Sequence, residues 1–168
     1  MSVGALLLLG LTAVLPTAAT RLRRDSWLTP SVQLSALAAA GFLATLAPPV
    51  GPAAAGFTHV IAVLAAAGGA SPVVRAAFRV ARRARPPAAP VAELLRGGAV
   101  IGVLERVAVG AALVAGWPEG LAVALAVKGL ARYPELREAK AGEQFIIGTF
   151  TSVLWAVGCW ATAQALLR

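Results

Sequence analysis

The sequence predicts an all-α fold, a polytopic transmembrane helix bundle of about six spans. Three observations predict it. Of 168 residues, 59% are hydrophobic and only 13% are charged, against about 45–50% and about 25% in a soluble domain. A single small domain has no core large enough to hide that excess. Mean hydropathy is +0.80, and the Lys and Arg residues fall between the apolar runs rather than within them, with few exceptions.

Composition also narrows the function classes. The net charge is +8, with 15 Lys and Arg against 7 Asp and Glu. In a water-soluble chain that balance suggests nucleic acid. Here the charges lie between spans and the aromatics are few, so anionic lipid headgroups are the expected partner and nucleic acid is not. Cys159 is the sole cysteine and His59 the sole histidine. An intrachain disulfide is impossible. No cofactor and no metal is expected, because zinc and haem sites draw on several such ligands.

Residues 1–20 form an apolar run that ends at Arg21-Leu-Arg-Arg24. No positive charge precedes it, so a retained first span is expected. Cleavage after Thr17-Ala-Ala19 as a signal peptide would leave five spans with unchanged orientation. Thr29-Pro-Ser31 offers a helix start, residues 31–47 form the second span, and Pro48-Pro-Val-Gly-Pro52 ends it in a tight turn. Residues 53–70 form the third span. It carries His59, which reads either as a histidine bonded to a neighbouring helix or as a proton-handling group.

Residues 71–85 read as a separate amphipathic helix. Arg75, Arg79, Arg82 and Arg83 recur on one side and Val74, Phe78 and Ala81 on the other. The expectation is a segment lying along the cytoplasmic surface with its arginines on headgroups. Pro86-Pro-Ala-Ala-Pro90 then serves as a hinge between an N-terminal half, residues 1–90, and a C-terminal half, residues 91–168. The fourth span is expected over residues 97–117 and the fifth over 120–133. A polar link covers 134–142, and the sixth span covers 143–167. The fifth is short: about 14 residues reach roughly 21 Å against a core near 30 Å, so Lys128 and Arg132 would snorkel.

Orientation follows from the cations. Arg21, Arg23 and Arg24 occupy the first loop. Arg75, Arg79, Arg82, Arg83, Arg85 and Arg96 surround the third, and Arg132, Arg137 and Lys140 the fifth. The even loops, 48–52 and 117–119, carry none. With six spans, the odd loops are cytoplasmic and both termini outside.

Charge also enters the spans themselves. Glu105 and Arg106 stand side by side in the fourth. Counted outward from the turn at Pro118, Glu105 lies level with Ala131, between Lys128 and Arg132. An unpaired charge at that depth is costly, so Glu105 should face Lys128 or Arg132. Arg106 points about 100° away on its helix and needs another partner, either Glu143 or a lipid phosphate. Glu105, Arg106, Lys128, Arg132 and Glu143 are therefore read as one polar cluster. It either locks helices together or binds a headgroup, ion or small anion. Small residues at Gly98 and Gly102, and at Gly148, Ser152 and Ala156, suit close helix packing. Thr149, Thr151 and Ser152 are expected to bond back to their own helix.

The run Ile101-Gly-Val-Leu-Glu-Arg106, Lys128-Gly-Leu-Ala-Arg132, Glu135-Leu136, Glu143-Gln-Phe-Ile-Ile-Gly-Thr149 and Ser152-Val-Leu-Trp155 resembles the C-terminal part of a family of small bacterial membrane proteins with a domain of unknown function. Gly129 stands where that pattern has Ser, and Gln144-Phe145 where it has Tyr. The resemblance covers roughly residues 97–157. It implies a bacterial membrane location and draws attention to Thr149 beside the five charged residues, but supplies no activity. The Ala-, Arg- and Gly-rich composition itself looks like a high-GC bacterium.

Three functions are carried forward. The first is a non-enzymatic component of the bacterial plasma membrane, a scaffold or accessory subunit that assembles with itself or with another membrane protein. The second is a small transporter or a lipid- or anion-binding protein that uses the cluster. The third is a membrane-embedded lipid-modifying enzyme.

Overall fold

A computed structural model of the protein describes residues 1–21, 27–83 and 98–168, without the side chains of 17–21, 82–83, 98–99, 135 and 139–140. Six α-helices make up these residues: α1 (Ser2–Arg21), α2 (Leu28–Leu46), α3 (Pro52–Arg83), α4 (Gly98–Val114), α5 (Glu119–Ala131) and α6 (Ala139–Leu167). A single 3-10 turn, Glu135–Arg137, precedes α6, and no strand occurs among the described residues. Three of the helices contain stretches long and apolar enough to cross a membrane: Leu28–Leu46, Pro52–Ala81 and Ala141–Leu167.

The third apolar run and the basic segment form one helix rather than two. α3 continues through Pro72 to Arg83, which corrects the expectation of a separate surface helix over 71–85. Its 32 residues reach about 48 Å, beyond a hydrocarbon core of about 30 Å. Tertiary packing holds it together across the proline. Phe78 seats on Gly148 of α6, with its Cζ 2.9 Å from where a Cβ would stand. Arg79 lies over the Trp27 ring at 4.6 Å. The expected hinge at Pro86–Pro90, and the loop cations Arg23, Arg24, Arg85 and Arg96, lie outside the described residues.

α3 is the central element. It packs against α1, α2, α4 and α6, whereas the α5 backbone comes close to α4 alone among the described elements and meets α6 through side chains. The interior is built from small side chains. Ala40, Ala62, Ala65, Ala66, Ala70, Ala156 and Ala163 surround Leu9, Val109, Trp155 and Cys159. Leu7, Phe42, Leu64, Leu104, Leu130, Phe150 and Leu154 are turned outward and exposed. Large apolar groups outside and alanine inside is the arrangement lipid favours, where close backbone approach rather than water exclusion holds helices together.

The closest approaches run through two adjacent glycines. A Cβ on Gly68 would meet the Ala13 carbonyl oxygen of α1 at 2.7 Å, and the Trp155 indole lies directly over Gly69. The glycine expected to do this on α4 does something else. Gly102 leaves room for Arg106 of its own helix, whose guanidinium would stand 3.3 Å from a Cβ there.

Three segments meet at one end of the bundle. Ser2 Oγ donates to the Pro48 carbonyl at 3.0 Å, and the Val50 amide donates to the Leu166 carbonyl at 2.8 Å. The start of α1, the α2–α3 turn and the end of α6 are therefore neighbours. Ser31 Oγ donates to the Trp27 carbonyl at 2.9 Å where α2 begins, and Pro30 sits in that first turn, where a missing N–H is tolerated.

Candidate functional site

A cleft of about 430 Å³ opens between α3, α4, α5 and α6. It is lined by Ser71, Val74, Arg75 and Phe78 from α3, and by Ile101, Gly102, Glu105 and Arg106 from α4. Lys128 of α5 and Arg132 just beyond it add two cations, and Gln144, Phe145, Gly148, Thr149 and Ser152 come from α6. A narrow extension of about 20 Å³ runs deeper, bounded by Val109, Ala124, Leu125 and Val153 and sharing Glu105, Arg106, Lys128, Thr149 and Ser152 with the main cleft.

The structure thus brings Glu105, Arg106, Lys128, Arg132 and Thr149 to one site. Glu143 stands one residue before Gln144 in the first turns of α6, half-buried and outside the lining. Arg75 joins the cluster from the basic stretch of α3, so it faces the cleft as well as the outside. Arg79 is engaged with Trp27 instead. The side chains of Arg82 and Arg83 lie outside the described residues.

Glu105 is paired with Lys128 across the α4–α5 hairpin. The register is what an antiparallel pair with its turn at 115–118 imposes, because residues equidistant from the turn lie level. Both side chains are half-buried, at 20% and 23% exposure. The same ammonium lies 5.6 Å from the Phe145 ring of α6.

Arg106 turns into the bundle, with no bond to Glu143 among the described residues. It is buried, at 5% exposure, and its Nε donates to the Ala67 carbonyl of α3 at 2.9 Å. Two further side chains use the same stretch of backbone. Trp155 Nε1 donates to the Ala65 carbonyl at 3.0 Å. Gln33 Nε2 donates to the Gly69 carbonyl at 3.1 Å and to Thr12 of α1 at 2.5 Å. A helical carbonyl keeps a second lone pair after its i+4 bond, and Pro72 supplies no N–H to Gly68. The turn before Pro72 is therefore an acceptor-rich belt that α2, α4 and α6 all grip. Sequence reasoning missed Gln33 and Trp155 in this role. The available signal was Gly68-Gly69 three and four residues ahead of a proline.

Thr149 is the other departure. Back-bonding was expected for it, and Thr151 does bond the Ile147 carbonyl, at 2.7 Å. Thr149 Oγ1, in contrast, is buried and has no hydrogen-bond partner among the described residues. A buried polar atom left unsatisfied costs about 1–3 kcal/mol, so an orphan hydroxyl beside four cations is a group waiting for an acceptor or donor. His59 lies about 18 Å along α3 from the cleft residue Ser71, twelve residues at 1.5 Å each, and has no part in the site. No set of three His, Cys, Asp or Glu side chains suited to a metal occurs among the described residues.

Comparison with protein-family models, with curated proteins and with solved structures gave no match to the chain.

Proposed function

We propose that this chain is a multi-pass protein of the bacterial plasma membrane that binds an anionic group in the α3–α6 cleft. The observation that carries the reading is the charge balance of an open space. Arg75, Arg106, Lys128 and Arg132 line it with one carboxylate, Glu105; Lys128 is held by Glu105 and Arg132 has an interaction of its own, which leaves Arg75 and Arg106 as the surplus beside the unsatisfied hydroxyl of Thr149. Helix locking alone needs no such volume and no surplus of positive charge. The acid–cation pair leaves room for a ligand with acceptor oxygens, which Arg75 meets as a charge and Thr149 meets as a neutral donor.

Six spans, with cytoplasmic odd loops and outside termini, complete the proposal. The Lys and Arg distribution supports that orientation. The meeting of Ser2, Pro48, Val50 and Leu166 at one end supports an even number of crossings. The resemblance of residues 97–157 to small bacterial membrane proteins is part of the same reading and adds location only.

A second reading, a scaffold or accessory subunit, draws on the fact that Arg106 ties α4 to α3 and Lys128 ties α5 to α4. The exposed apolar faces would then take a second copy or another membrane protein. The two readings separate by thermal unfolding of the purified chain in neutral detergent, with phosphate and sulfate added against a chloride background. Anion binding predicts a rise in melting temperature with phosphate or sulfate that Arg75→Gln and Thr149→Val diminish. A melting temperature indifferent to both anions would favour the scaffold.

A further inference from the structure

The cleft has two parts of different chemistry. Its inner part, shared with the narrow extension, holds Arg106, Thr149, Ser152 and the Glu105–Lys128 pair. Its outer part belongs to the main space alone, and there Val74 and Phe78 of α3 stand with Ile101 of α4 and Phe145 of α6. Phe78 seats on Gly148, and Phe145 meets the Lys128 ammonium. Arg75 lines this outer part and is exposed, which places it at the mouth.

The inner part suits one anionic group. The Arg106 Nε is spent on the Ala67 carbonyl, so the Nη end of the guanidinium is left to meet a ligand. That end lies over Gly102, where the missing side chain keeps it uncovered: Nη1 would stand 3.3 Å from a Cβ there. Paired Nη groups match the two oxygens of a carboxylate in one plane. The Thr149 hydroxyl, 6% exposed and without a partner among the described residues, supplies a further donor. Glu105 lies beside Arg106 and lines the same space. Its charge repels a second negative charge on the ligand, so a monoanion fits better than a dianion.

The outer part offers nothing to an inorganic ion. The cleft of about 430 Å³ falls within the roughly 300–1,000 Å³ of sites for small organic ligands. An inorganic oxyanion displaces only a few waters, each of about 30 Å³, and leaves the apolar walls wet. A ligand with a carboxylate at one end and a compact apolar body at the other covers both parts. We infer that the ligand of the cleft is a small organic acid, a carboxylate on an apolar body no larger than a single ring. Its carboxylate sits on Arg106 and Thr149, and its body lies against Val74, Phe78, Ile101 and Phe145. This rests on the anion-site reading and names the class of anion.

The test uses the full chain in neutral detergent at neutral pH and low ionic strength. Calorimetry follows benzoate, acetate, inorganic phosphate and benzamide as probes. Acetate is the head without the body, and benzamide is the body without the charge (it also measures partition into the micelle). One benzoate per chain should bind, about tenfold or more tighter than acetate or phosphate, the gain from burying one face of a ring. Benzamide should bind at least about tenfold more weakly than benzoate, for want of the charge-assisted bonds. Thr149→Val should weaken benzoate about threefold, and Arg75→Gln by a similar factor that added salt removes. Ile101→Trp, which fills the outer part, should erase the advantage of benzoate over acetate. If acetate or phosphate binds as tightly as benzoate, the organic-acid inference fails while the anion site stands. If benzamide matches benzoate, or if no probe binds the wild-type chain, both fail. The comparison of the four probes on wild-type protein decides the matter even if a variant does not fold.

Discussion

The Nε of Arg106, an intramembrane cation by sequence, donates to the backbone carbonyl of Ala67 on α3, while the nearest carboxylate, Glu105, forms its salt bridge with Lys128. A charge bound to a peptide dipole stays a net charge. Glu105 therefore serves two cations, Lys128 through a salt bridge and its sequence neighbour Arg106 through the field of its charge.

That division of labour predicts the behaviour of the hairpin pair. Glu105→Lys and Lys128→Glu should each lower stability by about 1–3 kcal/mol, through like charges brought together in a half-buried setting. The double exchange should recover a coupling of about 1–2 kcal/mol. A double-mutant cycle on thermal stability in detergent measures it, and a coupling near zero would mean the two residues do not interact.

The contact of α1 with α3 predicts an intolerant position. Gly68→Val puts its Cβ against the Ala13 carbonyl, a backbone atom that cannot swing aside. A cost of about 1–3 kcal/mol is expected, visible as a lower melting temperature or lost expression. Gly102→Ala is the control, because the neighbour there is the flexible end of Arg106.

Trp155→Phe removes the indole donor to the Ala65 carbonyl while keeping an aromatic ring over Gly69. A loss of about 1 kcal/mol is expected, the net worth of a neutral hydrogen bond. Unchanged thermal stability would show that the bond contributes nothing.

Cys159 is fully buried, so the native chain should not react with a maleimide until it is unfolded in dodecyl sulfate. This makes the natural sequence a ready background for labelling. Cysteines placed at Ser2 and Arg168 should react from one side of the membrane, and one at Val80, an exposed residue near the far end of α3, from the other. Labelling of Ser2→Cys and Arg168→Cys from opposite sides would exclude the six-span topology.

Some of this was legible in the residues, and the reasons are physical. Apolar run length located α2 and α6 to within a few residues, because only a helix satisfies its backbone inside a membrane. Counting from Pro118 set Glu105 level with Ala131, between Lys128 and Arg132, because a tight antiparallel hairpin leaves little freedom of register; the structure selects Lys128 of the two. The extent of α3 was not legible. The change of composition at Ser71 read as a boundary, whereas the seating of Phe78 on Gly148 carries the helix onward. Arg106 was expected to seek a charge, since a carbonyl acceptor has no residue type and leaves no mark in sequence beyond the glycines and proline around it. Thr149 stood out only through the family resemblance. That its hydroxyl is stranded depends on the packing of four helices, which no local pattern encodes.

The alanine interior also shapes how the chain can vary over generations. In a water-soluble bundle, surface positions drift freely and buried ones exchange one large apolar residue for another. Here the inner alanine positions admit almost nothing bigger than a methyl group, while Leu64, Phe42 and Leu154 on the outside exchange with any apolar neighbour but not with a charge. A deep mutational scan of this protein would come out inverted, with its size-sensitive sites within and its polarity-sensitive sites on the rim.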